Sequence, residues 1–212
     1  MLLITIILLI LFILNLIIYW LTILKVKNKE KTIVKIFFKL FPLIWTFSLI
    51  TIPIINSSLL ILYIPNNYSY FKYYWIFFAL LGIAFIIIGI NFAKKARKVY
   101  KVKLVNDPDS KLITTGIFRI IRHPIYSAWV IVFLGIALIS DSIISLIISP
   151  LILIILEIHA KTEEKFILIP KYGKAYENFK NKTTKRIIPS PLNLLLLIIT
   201  FIIVYVGFLN IT

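Results

Sequence analysis

The chain has 212 residues, of which 61% are hydrophobic and 15% charged, and its mean hydropathy is +1.02. Soluble domains are about half apolar and a quarter charged, so we do not expect a water-soluble fold. The absence of cysteine excludes disulfides, thiolate metal sites and a cysteine nucleophile, and two histidines are too few for a histidine-built metal centre. The net charge of +16 indicates membrane topology rather than nucleic-acid binding.

Six apolar stretches follow one another along the chain, and most approach the roughly 20 residues that a helix needs to cross a bilayer. They are residues 1–24, 40–64, 73–93, 125–140, 142–158 and 192–209. The first lacks the basic start and cleavage site of a signal peptide, so we expect it to be retained. Pro53 is expected to bend or interrupt the second, and Ser140 to Ser142 to turn the fourth and fifth into a hairpin. The predicted fold is an all-α, polytopic transmembrane bundle of about six spans.

The basic residues indicate how this bundle is oriented. All Lys and Arg residues except Lys72 fall in three blocks, 25–39, 94–122 and 161–186. Basic loops remain cytoplasmic, and placing all three blocks there leaves both termini outside. We expect a multi-pass protein of the cell membrane, or of the endoplasmic reticulum in a eukaryote, with a cytoplasmic active face. The blocks also predict attraction to anionic lipid headgroups.

The chain divides by composition into three parts. Residues 1–102 are expected to form three amino-terminal spans, and residues 191–212 a carboxyl-terminal span. Residues 103–190 contain the hairpin, an amphipathic tail and nearly all polar residues that could perform chemistry. We therefore expect any active site within this middle part.

A first polar cluster precedes the hairpin. Pro124 suits the first turn of a helix, which places His123 at its cap. The free N–H groups of a helix start favour an anion, and Arg122 and His123 add charge or donors. Gly116 allows the backbone to turn or to approach a ligand closely. An Arg-His-Pro cap that anchors the helix among lipid headgroups is the competing interpretation.

A second cluster follows the hairpin, where Glu157, Glu163 and Glu164 lie at the end of the fifth span. Carboxylates at the end of a membrane helix need a wet cavity or a partner, and we expect Arg119 and Arg122 to pair with them. The same pattern is also consistent with ordinary ion pairing between helix ends. Beyond it, an aromatic stripe at helical spacing predicts an interfacial amphipathic helix rather than a substrate contact. The stripe consists of Tyr172, Tyr176 and Phe179.

Together the two clusters resemble the isoprenylcysteine carboxyl methyltransferase and phospholipid methyltransferase family. The shared motifs are Thr-Thr-Gly at 114–116, Arg-His-Pro-x-Tyr at 122–126, Glu-Glu at 163–164, Tyr-Gly at 172–173, and then Tyr176, Phe179, Arg186 and Pro189. The sequence departs from the family pattern at Phe118, where Tyr is usual, at Ala128, where Gly is usual, and at Lys165, where a second Glu is common. Ala160 replaces the Arg that the prenylcysteine enzymes use for the substrate carboxylate, with Lys161 beside it.

The resemblance implies a membrane-integral enzyme that transfers a methyl group from S-adenosylmethionine to a lipid-embedded or prenylated acceptor. A carboxylate is the first choice of acceptor. The positions that match the family's cofactor pocket are Leu112, Ile113, Phe118, His123, Pro124, Ile125, Tyr126 and Glu164. The catalytic candidates are Arg122, Glu163 and Lys161. Glu164 is expected to receive the cofactor ammonium, and the helix start its carboxylate.

Three alternatives remain open from the sequence. The first is N-methylation of a phospholipid amine, for which Glu163 or His159 could serve as the base. The second is an NADPH-dependent sterol-type reductase, which shares an Arg-His-Pro-x-Tyr-like helix start; the Glu-rich helix end argues against it. The third is a non-catalytic membrane protein whose basic face binds anionic lipid.

Overall fold

The computed structural model describes residues 2–25, 32–57, 74–106 and 112–188, together with positions 198, 200–202 and 205. Within these ranges the fold is all-helical and contains no strand. The α-helices are α1 (Leu2–Lys25), α2 (Thr32–Ile55), α3 (Trp75–Asn106), α4 (Pro124–Ile139), α5 (Ile143–Glu163), α6 (Ile169–Tyr172) and α7 (Lys174–Lys182). A 3₁₀ turn at Gly116–Arg119 precedes α4, and a π-helical turn at Glu164–Leu168 joins α5 to α6.

Three of these helices are long and apolar enough to cross a bilayer, among the residues that the structure describes. Their spanning stretches are Leu3–Leu21, Trp75–Val99 and Ile143–Tyr172, and two shorter apolar helices cover Leu43–Ile55 and Pro124–Ile139. The all-helical prediction is therefore confirmed for the described residues, and three helices qualify as candidate spans where the sequence predicted about six. The sixth predicted span, residues 192–209, lies largely outside the described residues.

Two helices extend beyond their predicted apolar stretches into the basic blocks. Helix α2 already begins at Thr32 and ends two residues after Pro53, and α3 continues to Asn106, well past the predicted end at Ala93. The additional residues, 32–39 and 94–106, belong to the first two basic blocks. Lys, Arg and Ala, which occur among them, are strong helix formers. Long basic side chains can also reach the headgroup level from a helix end. The charge pattern thus located the end of the apolar stretch and not the end of the helix.

The hairpin predicted around Asp141 is present, with α4 and α5 on either side of it. Asp141 adopts a positive φ of 49°, and the hydroxyl of Ser142 accepts the backbone N–H of Ser145 at the start of α5. Both arms contribute to one core with α1 and α2, in which Phe12 stacks on Trp45 at a centroid distance of 5.2 Å. Ala160, near the end of α5, belongs to this core, and Tyr126, in the first turn of α4, packs against it.

Helices α3 and α4 cross at unusually close range because glycines face one another. A Cβ atom on Gly82 would meet the carbonyl oxygen of Gly135 at 2.6 Å, and one on Gly135 would meet that of Gly82 at 2.7 Å. Small residues of this kind allow membrane helices to pack by van der Waals contact and without large side chains. The contact fixes α4, and with it the helix start at Pro124.

We expect Gly82→Leu to destabilise the protein by about 1–3 kcal/mol, because the new side chain must displace backbone rather than a flexible side-chain end. Ala84→Leu is the control, since Ala84 is exposed two residues further along the same helix. Denaturant titration in detergent micelles measures both variants. Equal stability of the two would contradict the close crossing.

Candidate functional site

The site is built on the start of α4. Pro124 occupies the first turn and His123 the cap position, as the sequence predicted. The backbone N–H groups of Arg122 and His123 donate to the carbonyl oxygens of Lys185 and Arg186, at 3.1 and 2.9 Å. The chain after α7 therefore returns alongside the mouth of α4.

Glu164 is the central anion of this region. Its Oε1 atom accepts Arg122 Nε at 2.8 Å, and lies 3.2 Å from both His123 Nε2 and Arg186 Nε. The Glu164 side chain is almost fully buried. A buried carboxylate is tolerated when charged donors satisfy it, and here three cationic groups converge on one oxygen atom. Glu164 thus joins the mouth of α4 to the segment that follows α7.

The guanidinium of Arg122 is held on its other side as well. Its Nη1 donates to the carbonyl oxygen of Thr183 and, at 2.9 Å, to that of Thr184. Arg186 in turn pairs with Glu157 on α5. Both arginines are therefore fixed by acceptors from more than one segment.

His123 lies between two carboxylates. Its Nε2 faces Glu164, and its Nδ1 lies 3.4 Å from Glu163 Oε2. Burial on its own lowers the pKa of His123, but the hydrogen bonds and charges of Glu163 and Glu164 outweigh it and raise the pKa above its ordinary value. Because both ring nitrogens face an anion, the geometry favours the doubly protonated imidazolium.

Tyr126 completes the polar side of the site. Its hydroxyl donates to Glu163 Oε2 at 2.8 Å, and its ring stacks on that of His123 at a centroid distance of 5.3 Å and an interplanar angle of 5°. The other side of the Tyr126 ring meets His159, whose Nδ1 accepts the indole N–H of Trp20 at 3.1 Å. Residues from α1 therefore support the Tyr126 ring from within the bundle.

The tail after α5 closes the opposite side. The π-helical turn Glu164–Leu168 leads into α6, which ends at Gly173. Gly173 has φ 52° and ψ −132°, a conformation that is available to glycine and strained for other residues. The turn allows α7 to direct Tyr176 and Phe179 towards α4, and both are buried.

A cavity of about 230 Å³ lies between these walls. This volume is far above the roughly 10–15 Å³ that one water molecule requires, so there is room for a ligand. The lining consists of Leu112, Ile113, Phe118, Arg122, His123, Ile125, Tyr126, Glu163, Leu168, Tyr172, Tyr176 and Phe179. It is largely apolar, with charge confined to Arg122, His123 and Glu163.

Eight of the eleven predicted site residues line this cavity. They are Leu112, Ile113, Phe118, His123, Ile125 and Tyr126 from the cofactor set, and Arg122 and Glu163 from the catalytic set. Glu164 lies behind the wall, bound to the cations described above, and Pro124 acts through the helix start. Lys161 is exposed on α5 and does not reach the cavity lining.

The structure also brings in residues that the sequence placed elsewhere. Arg186, rather than Arg119, is the second arginine on the glutamates, and Arg119 is exposed. Tyr176 and Phe179 face the cavity instead of the headgroups, so the interfacial interpretation of the stripe does not hold for them. Among the described residues, the buried hydroxyl of Tyr176 makes no hydrogen bond of ordinary geometry, and burial together with the nearby Glu164 raises its pKa. A donor of this kind in a cavity wall is a contact that a ligand can satisfy.

A comparison with known protein families finds a match to the part of the chain that contains most of this site. The family model described as phospholipid methyltransferase matches residues 75–175. Residues 75–175, a little under half of the chain, are similar to this family. The predicted resemblance is thereby confirmed, and the family is one of membrane methyltransferases. No curated protein and no solved structure matches the chain.

The phospholipid methyltransferase region begins with α3, whereas the sequence motifs began near residue 103. The glycine contact between α3 and α4 gives a physical reason for this larger extent. Helix α3 contributes no described residue to the cavity lining, but it determines where the helix start at Pro124 lies. The region ends at residue 175, at the beginning of α7, so Tyr176 and Arg186 lie just beyond it.

The raised pKa of His123 predicts how stability depends on pH. Unfolded His123 titrates near pH 6.5, and the folded protein retains the proton to higher pH. The stability that protonated His123 gives to the folded state is therefore fully present below about pH 6.5. It is lost as the pH rises through the pKa of His123 in the folded protein. We expect the unfolding temperature in detergent to fall over this interval, and His123→Gln to flatten the slope. If the His123→Gln variant keeps the wild-type slope, His123 is not the titrating group and the raised pKa is refuted.

Proposed function

We propose that the protein is an integral membrane methyltransferase that uses S-adenosylmethionine as methyl donor and a lipid-embedded molecule as acceptor, at a cytoplasmic face. The observation that carries the proposal is the cavity at the mouth of α4. Its lining combines Arg122, His123 and Glu163 with apolar and aromatic side chains, and it lies largely within the phospholipid methyltransferase family region.

The lining suits each part of a zwitterionic donor. The side chains of Arg122 and His123 favour a carboxylate, and Glu163 favours an ammonium. The predicted contact from the helix start is weakened, because the backbone N–H groups of Arg122 and His123 already donate to Lys185 and Arg186. Phe118 and Tyr126 offer aromatic faces to an adenine ring or to a sulfonium cation. The hydroxyl of Tyr176 adds one hydrogen-bond donor. These groups account for the polar and the apolar parts of such a ligand.

In this proposal Glu164 acts as a positioning residue. It was predicted to receive the donor's ammonium, but its Oε1 already accepts Arg122, His123 and Arg186. Glu163 is the carboxylate that lines the cavity, so we assign the ammonium contact to Glu163. Glu164 then orients Arg122 and His123 towards the cavity.

S-adenosylmethionine supplies an electrophilic methyl group on its sulfonium when it is bound. The residues of this chain need only align the acceptor and exclude water, because displacement at a methyl group requires no covalent protein intermediate. Alignment of two reactants can contribute roughly 7–11 kcal/mol to lowering a barrier. The apolar lining from Leu112, Ile113 and Leu168 provides the dry environment.

A carboxylate is our first candidate for the acceptor. It can attack without losing a proton, so the cavity needs no free base for this reaction. An amine headgroup is the second candidate, since Glu163 faces the cavity and could take up its proton. However, Glu163 already accepts the Tyr126 hydroxyl and faces the His123 ring, so its Oε2 atom is not free to take up a proton.

Ligand binding tests the proposed cofactor. We expect the purified protein to bind S-adenosylhomocysteine, and His123→Ala and Glu164→Gln each to weaken this at least about ten-fold, roughly 1.4 kcal/mol. Tyr176→Phe is expected to weaken binding less, because it removes one neutral hydrogen bond. Isothermal titration calorimetry in detergent measures all three.

The control is Glu177→Gln, which removes an exposed carboxylate of α7 away from the cavity and should leave binding unchanged. Binding of NADPH without a response to S-adenosylhomocysteine would favour the reductase alternative. Binding of neither ligand would favour a non-catalytic role in lipid binding.

The chemistry of the product tests the acceptor. We expect tritium from methyl-labelled S-adenosylmethionine to enter the lipid fraction of a membrane extract. Mild base should then release it as volatile methanol, because methyl esters hydrolyse whereas N-methyl groups do not. Label that stays non-volatile after base treatment, in the lipid or in a water-soluble headgroup, would instead assign the protein to amine methylation.

A further inference from the structure

A second recess lies between α5 and the segment that follows α7. It is a groove of about 470 Å³ whose walls are charged at one end and apolar at the other. Arg122, Glu157, Lys185 and Arg186 form the charged end, and Leu153, Ile154, Ile158, Ile187 and Ile188 the apolar part. The groove and the cavity share Arg122 in their linings.

The apolar part of the groove continues down α5. Ile147, Leu151, Ile154 and Ile158 recur at helical spacing on one face, and each is between 44% and 60% exposed. From Ile147 to Ile158 the helix rises about 16 Å, which is close to half the roughly 30 Å hydrocarbon thickness of a bilayer. This stripe therefore has the depth of one leaflet and ends where the charged side chains begin.

The charged end carries one cation more than its anions can pair. Arg122 pairs with Glu164, and Arg186 with Glu157. Lys185 is exposed and has no carboxylate within ion-pair distance in the described part of the chain. A single excess positive charge above an apolar stripe of leaflet depth is complementary to a lipid with one net negative charge.

We propose that this groove binds an anionic phospholipid, with the headgroup at Lys185 and an acyl chain along Ile158, Ile154 and Leu151. We take the lipid as distinct from the methyl acceptor, because the two linings share only Arg122, whose guanidinium is bound to Glu164. It contacts the segment 183–188, whose carbonyl oxygens hold Arg122 and the backbone of His123. The proposal goes beyond methyl transfer and does not depend on it.

The natural absence of cysteine makes a site-specific measurement direct. A bimane label on Leu151→Cys lies one turn below the groove, and a label on Ile87→Cys, on the exposed face of α3, reports ordinary boundary lipid. Each is placed in bilayers that contain brominated phosphatidylglycerol or brominated phosphatidylcholine with identical chains. The ratio of quenching by the two lipids gives the selectivity at each position.

We expect phosphatidylglycerol to be favoured about five-fold at residue 151, the equivalent of about 1 kcal/mol for one lysine near the membrane surface, and to show no preference at residue 87. Lys185→Gln should bring the ratio at residue 151 close to one. Lys180→Gln, which removes an equally exposed cation of α7 outside the groove, should not change it.

Two results would overturn the proposal. Equal selectivity at residues 151 and 87 would show that no specific site exists, and equal effects of Lys185→Gln and Lys180→Gln would reduce the preference to overall charge. Both lysine side chains are exposed, so we expect both variants to fold; matching thermal unfolding midpoints check this. Because the readout is lipid contact, failure of the proposed methyltransferase activity would leave its outcome unaffected.

Discussion

The carboxylate of Glu164 is the interaction on which the rest of the site depends. Its Oε1 atom gathers Arg122 and His123 from the mouth of α4 and Arg186 from the chain after α7. An isolated charge in this position would be strongly unfavourable, and the cost is offset because three cationic donors share it. The same contacts bring distant segments together and form one wall of the cavity. Removal of the carboxylate would leave three cations without their common anion.

The helices around Glu164 hold the neighbouring polar and aromatic side chains in fixed orientations. The glycine crossing of α3 on α4 fixes the helix start, and Tyr126 is held between His123 and His159. His159 is in turn held by Trp20 of α1. The amino-terminal helices therefore do more than anchor the chain in a membrane, since they determine the orientation of rings that line or support the cavity.

Local features of this site could be predicted from the sequence because they depend on neighbouring residues. Pro124 after His123 specifies a helix start, and Ser140 to Ser142 between two apolar runs specify a hairpin. The Arg-His-Pro-x-Tyr and Glu-Glu motifs identified the family that the match to residues 75–175 confirms. Each of these signals lies within a few positions of the structure that it specifies.

Features that depend on the path of the chain could not be predicted in this way. The pairing of Arg186 with Glu164 requires a π-helical turn, the reversal at Gly173 and the return of residues 183–188. Tyr176 has the spacing of an interfacial stripe, and its position in the cavity wall follows from that same reversal. The hydrogen bond from Trp20 to His159 joins residues 139 positions apart, and no periodicity encodes it.

A double-mutant cycle on Arg122 and Glu164 tests the central claim most directly. The affinity for S-adenosylhomocysteine is measured for Arg122→Gln, Glu164→Gln and the double variant. If the ion pair builds the cavity, the double variant should bind about as weakly as the worse single variant, with a coupling energy in the range of about 0.5–3 kcal/mol. Losses that simply add would show that the two side chains act independently, and would contradict the account.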